Sequence, residues 1–323
     1  MTFRTGTVIF RSTGIFRAST VTFRTSTVIF RTGDLTFTPV SWVNLTHMTK
    51  IPAATASRLP ALSTTVTPAD EGTVPAAHGI LLAHGATGDI AGNYGALVPA
   101  LAATGHTVVA PDYPGSGSTP RADGPLELDA LADAVVAEAV AAGVETFTLI
   151  GFSLGTAVSV RAAARHPERV RGLVLTAGLA KPDHRENIWL DLWLRLLDHG
   201  DYAGFAQARA LSGLSPEALN TLSPAELAAV LDADPAGPPA GSAEQAALVK
   251  EVDTTGDLAG ITVPTLVIAT TLDQLIHPSH SRYLAEHIPG AEYAEIATGH
   301  VPMVERPDEW EGMITKFLSE RGL

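Results

Sequence analysis

The chain of 323 residues has no cysteine. That removes disulfides, zinc–thiolate sites and a thiol nucleophile, and it is compatible with the cytoplasm, where we expect the protein to act. Long apolar runs are missing too. No stretch of about 18 uncharged apolar residues occurs, which excludes a membrane-spanning helix. Positive charge is scarce: 21 Lys plus Arg stand against 34 acids, a net charge of −13. Phosphate backbones and anionic membranes would repel such a chain, so nucleic acid is not an expected partner. Charged residues make up only 17% and apolar residues 46%, enough to bury a large core and to exclude global disorder.

The basic residues are unevenly placed. Phe-Arg recurs at 3–4, 10–11, 16–17, 23–24 and 30–31, with Thr, Ser, Gly and Val-Ile between. Up to residue 47 the segment holds five Arg and one acid, Asp34, which leaves −17 for the remainder. A secretory signal needs an unbroken apolar stretch, and Arg interrupts this one. Its Thr, Val and Ile content opposes the amphipathic helix of a presequence. Solenoid repeats need about 20 residues or more per unit. Residues 1–47 are therefore expected to be low-complexity sequence outside the fold, with Met48 the true start and 49–65 a short lead-in.

From residue 66 strands and helices alternate. Gly79–Ala83, Thr107–Ala110, Thr146–Ile150, Val170–Thr176 and Thr265–Thr270 are short runs rich in apolar and β-branched residues that predict strands, and Glu292–Ile296 is read as a further strand. Helical patterns lie between them at Tyr94–Ala103, Leu126–Ala142 and Ser153–His166, then near Ser279–His287 and Pro307–Glu320. The alternation predicts an α/β fold: a mostly parallel sheet with helices on both faces, and chemistry at the carboxyl ends of the strands. Residues 178–258 break the pattern and predict an inserted helical cap. The core is then 48–177 with 259–323. In Ile188–Leu197 only Asp191 and Arg195 interrupt the apolar residues, so the apolar arc is wide. Such a helix is either core or a cap helix turning Trp189 and Trp193 to a substrate cleft.

The strongest chemical signal is Gly151-Phe152-Ser153-Leu154-Gly155, between a predicted strand and a predicted helix. Alone, G-x-S-x-G is an ordinary glycine-flanked turn. Placed here, it is a tight turn that pushes a serine out at the sheet edge and aims a helix N-terminus at the reacting atom. With this context the chain resembles the α/β-hydrolase superfamily over roughly residues 66–320. The family order of nucleophile, acid and histidine falls on Ser153, Asp273 and His300, the last two 27 residues apart. A serine hydroxyl needs a base, and an acid holds the imidazole tautomer. Asp183 is the fallback acid. The resemblance further implies Ala86 and Leu154 N–H as oxyanion donors, and Phe152 beside the pocket. Two positions depart from family habit: Thr156 after the elbow, and Ala297-Thr298-Gly299-His300 where many relatives have Gly-Gly-His.

Other polar residues invite blander readings. His84 is expected to brace its loop. Asp112–Ser118 has the glycines of a phosphate loop but no following Gly-Lys-Ser/Thr, so it is read as structural. For His277, His280 and His287 no nearby acid or Cys completes a ligand set, so no metal is expected. No cofactor is implied.

The expected partner is a small molecule, and oligomeric state has no readable signature. The leading expectation is a serine hydrolase of a small, largely apolar ester, thioester or lactone. Beside it stand a cofactor-free haloperoxidase-like enzyme, a carbon–carbon bond hydrolase and a non-catalytic ligand receptor, among which fold does not choose.

Overall fold

The structure is a computed structural model that describes residues 59–323 apart from 74, 75, 77 and 233–236. The expectations for residues 1–47 and for Met48 lie outside that range.

In chain order the elements begin β1 (Ser63–Thr67), β2 (Gly79–Ala83), α1 (Ile90–Tyr94), α2 (Leu97–Ala103), β3 (Val108–Asp112), α3 (Leu128–Ala141), β4 (Phe147–Phe152), α4 (Leu154–Arg165) and β5 (Val170–Thr176). Five helices follow: α5 (His184–Asp198), α6 (Tyr202–Gly213), α7 (Pro216–Thr221), α8 (Pro224–Leu231) and α9 (Ser242–Glu251). The chain closes with β6 (Thr265–Thr270), α10 (Pro278–His287), β7 (Glu292–Ile296), α11 (Pro302–Glu305) and α12 (Pro307–Arg321).

The seven strands form one sheet in the order β1-β3-β2-β4-β5-β6-β7. All neighbours are parallel except β1, which runs antiparallel to β3 with Ser63 opposite Asp112 and Thr67 opposite Val108. The six predicted strands are all present. The lead-in expectation is corrected, since part of it is β1. Ser-Thr-Thr-Val-Thr has no apolar run because this edge strand is largely solvent-facing. The single helix expected over Tyr94–Ala103 is two helices, α1 and α2, either side of Gly95-Ala96.

Side chains alternate across the sheet. Leu81 and Leu149 face one apolar cluster, shared with α3 and α4. Ile80, Leu82 and Ile150 face a second, closed by α1, α2 and α12. Leu190, Trp193 and Phe205 of the inserted helices belong to the first cluster. The insertion thus packs continuously onto the α3–α4 side.

From β2 the chain crosses to β3 on one side and then returns to β4 on the other. The crevice at such a reversal lies at the carboxyl ends of β2 and β4. His84–Gly88 and Ser153 occupy those two ends.

Candidate active site

β4 ends at Phe152 and α4 starts at Leu154, so Ser153 alone makes the turn, with φ +54° and ψ −120°. Positive φ is strained for a side-chain-bearing residue and persists only where the surroundings enforce it. Here they do. A Cβ on Gly155 would lie 1.8 Å from the Ala83 carbonyl oxygen, and one on Gly151 2.4 Å from the Gly155 oxygen. The Ser153 N–H donates to the Thr176 carbonyl at 3.0 Å and fixes the turn against β5. Thr156 fits because Gly178 opposite has no side chain; a Cβ there would meet Thr156 Oγ1 at 2.5 Å.

The structure brings Ser153, His300 and Asp273 together. Ser153 Oγ lies 3.0 Å from His300 Nε2, and His300 Nδ1 lies 2.7 Å from Asp273 Oδ2. With a carboxylate accepting at Nδ1–H, Nε2 is left to accept from the serine hydroxyl. All three side chains are buried. Asp273 is held by four protein donors: Leu275 and Ile276 N–H at Oδ1, and Thr270 Oγ1 with His300 at Oδ2. Asp183 is elsewhere. It caps α5 in a reciprocal pair with Glu186 and lies 3.2 Å from His280.

Two loops support this group. His300 N–H donates to the Gly213 carbonyl at 2.7 Å, and Glu305 accepts from Gly299 and Ser215 N–H. The insertion approaches so closely that a Cβ on Gly299 would lie 2.4 Å from Ser215 N. This accounts for the glycine in Thr298-Gly299-His300. In the other loop, Gly85 N–H donates to Asn93 and Thr87 N–H to Gln245, which leaves Ala86 N–H between them. Among the described residues neither Ala86 N–H nor Leu154 N–H is spent on a protein acceptor. Gln245 also donates to Ser116 Oγ and the Pro114 carbonyl, so the Asp112–Ser118 turn braces this loop. His84 braces it as well. Nδ1 meets the Gly85 carbonyl, Nε2 accepts from Tyr113 N–H, and burial lowers its pKa to about 4, so the ring is neutral at pH 7.

Ser153 opens into a cavity of about 490 Å3. Phe152, Leu190, Trp193, Phe205 and Val304 give it a mostly apolar wall, and the Phe152 ring stands 5.0 Å from the His300 ring. Trp189 is corrected: it does not line the cavity. Leu190 and Trp193 turn that way, and Trp189, beside them on the helix, packs half-buried against the cluster below. The wide apolar arc of α5 therefore serves both core and cleft.

Three wall or support residues escaped sequence reading: Glu186, Arg209 and Gln245. Each is one polar residue on an amphipathic helix, indistinguishable in sequence from a solvated one. Glu186 is 2% exposed, and burial pushes its pKa up to about 8. The reading of His280 as lacking an acid is also corrected. The fold brings Asp183 and Glu186 to it from β5–α5, close to a hundred residues away, at 3.2 and 3.4 Å.

Residues 80–307 match the sequence profile of the alpha/beta hydrolase fold. The chain is 36% identical over 242 residues to pyrrolizixenacetamide deacetylase of Xenorhabdus hominickii, covering 74% of this chain and 90% of that protein. It is 29% identical over 248 residues to a pimeloyl-[acyl-carrier protein] methyl ester esterase of Neisseria meningitidis, covering 69% and 86%. The enol-lactonase of Burkholderia xenovorans LB400 superposes with a TM-score of 0.70 at 24% identity, over 80% of this chain and 96% of that one. Profile, relatives and sheet order agree: the chain is an enzyme of the α/β-hydrolase family.

Proposed function

We propose that Ser153 is the nucleophile, His300 the base and Asp273 the orienting acid of a hydrolase that cleaves a small, largely apolar ester, thioester or lactone through an acyl-enzyme. The observation that carries this is the Ser153–His300–Asp273 hydrogen-bond chain opening into a mostly apolar cavity. Two relatives named for a deacetylation and a methyl ester cleavage support acyl-carbon chemistry.

Ser153 Oγ attacks the acyl carbon while His300 Nε2 takes its proton. Asp273, fixed by its other donors, holds Nδ1–H and balances the imidazolium that forms. The tetrahedral oxyanion accepts from Ala86 and Leu154 N–H, donors already in place before charge develops. His300 then passes the proton to the departing alkoxide or thiolate. Water repeats the sequence in reverse and frees Ser153. Phe152 and Trp193 contribute apolar wall for the acyl or leaving group.

Fluorophosphonate labelling with ester turnover tests this. Ser153→Ala is expected to lose the label and lower kcat by roughly 10³-fold or more, and His300→Ala to do nearly the same. The double variant is expected to be little worse than either single one, because the two act as a unit. Additive losses, or a labelled Ser153→Ala protein, would overturn the assignment.

A further inference from the structure

Arg209 stands out in the cavity wall. It is the only Lys or Arg among the described residues that line the cavity, and it projects from the same face of α6 as Phe205, Ala210 and Gly213. Among the described residues its guanidinium has no carboxylate within salt-bridge reach and no hydrogen-bond acceptor, whereas Arg161 and Arg165 each hold carboxylates. The residue is exposed to solvent as well as lining the cavity. Surrounding protein strips enough water from the cation to lower its pKa, opposed by the charge of Asp89. The guanidinium carbon lies over the Phe205 ring, 5.9 Å from its centroid.

We propose that Arg209 is an anion subsite that selects substrates carrying one carboxylate away from the scissile bond. The proposal rests on the hydrolase reading above and names its substrate class. A cation without a partner beside an apolar wall gains most from a planar, singly charged acceptor that meets its fork with two hydrogen bonds. The rest of the wall limits the charge it accepts. Asp232 and Glu186 also line the cavity. Glu186, pushed up to about 8 by burial, is neutral at pH 7 and adds no repulsion there. One guanidinium that already feels the charge of Asp89, with Asp232 elsewhere on the same wall, suits a carboxylate monoanion and not a phosphate dianion. The remaining apolar wall takes the chain between carboxylate and ester, with the few polar groups fixing its direction.

Three esters test this at pH 7: 4-nitrophenyl butyrate, which is neutral; 4-nitrophenyl glutarate, charged on the acyl side; and 4-butyryloxybenzoate, charged on the leaving side. One charged ester is expected to exceed the neutral one in kcat/KM. Arg209→Gln should cut that ratio by about 10- to 100-fold, mostly through KM, and Arg209→Lys should restore part of it. No preference for either charged ester, or a preference unchanged in Arg209→Gln, overturns the proposal. A second arm does not depend on turnover. In Ser153→Ala, calorimetry should show butyrate binding that weakens about 10-fold or more when Arg209→Gln is added, and equal binding overturns the subsite. Failure to hydrolyse any of the three esters counts against the hydrolase reading alone, because the calorimetry still decides the subsite.

Discussion

Two carboxylates follow strands on the correct side of the sheet, and their surroundings separate them. Asp273 touches His300 and takes three further hydrogen bonds that fix its orientation. Asp183 spends one oxygen on the Glu186 N–H and turns the other to His280. If Asp273 orients His300, Asp273→Asn is expected to fold normally and lose roughly 10⁴-fold in kcat, because an amide stabilises the wrong imidazole tautomer. Asp183→Asn is expected to cost less than about tenfold, since Asn caps a helix nearly as well as Asp. Steady-state kinetics beside circular dichroism check both, and the reverse ranking would move the acid to the β5 loop.

Among the elements, the β4–α4 turn has the least steric freedom. The Gly155 Cα sits against the carbonyls of Ala83 and His84, backbone that cannot rotate away. Gly155→Ala should therefore push α4 off β2, destabilising the protein by about 2–3 kcal/mol and lowering Tm by roughly 5–10 °C in calorimetry. Gly143→Ala tests only backbone conformation, because a Cβ there meets nothing within 4 Å. The loss at Gly155 should be the larger. These same constraints made the turn legible in sequence: glycine, serine and glycine at fixed offsets between an apolar strand and a helix. The buried parallel strands were legible for a similar reason, since both faces are covered and the runs are nearly all apolar. β1 was not, because an edge strand of Ser, Thr and Val has no such run. Arg209 and Gln245 were not legible either. Their roles come from what α6 and α9 meet across the insertion, and a single sequence records no such meeting.

For the molecule as a whole, two buried groups at the site set opposite pH limits on stability. His84 has its pKa lowered from 6.5 to about 4 by burial. Between those values the unfolded chain binds a proton that the folded one refuses, so stability falls as pH drops through that window. His78 and His106 are lowered by burial too and act in the same direction. Glu186 is raised from 4.5 to about 8, again mainly by burial. The folded chain then holds a proton that the unfolded one has released, so this contribution is complete below 4.5 and is lost as pH rises through about 8. From 4.5 to 6.5 the His84 and Glu186 slopes oppose one another, and above 6.5 Glu186 acts without them. Stability should therefore peak near pH 6.5 and fall by roughly 2 kcal/mol on going to pH 8. That corresponds to roughly 4–8 °C in Tm. Glu186→Gln keeps the oxygen that accepts from Asp183 N–H but has no proton to lose. Its melting temperature should lose the decline between pH 6.5 and 8 while keeping the acid limb. Parallel alkaline limbs in variant and wild type would mean that Glu186 is not the group responsible.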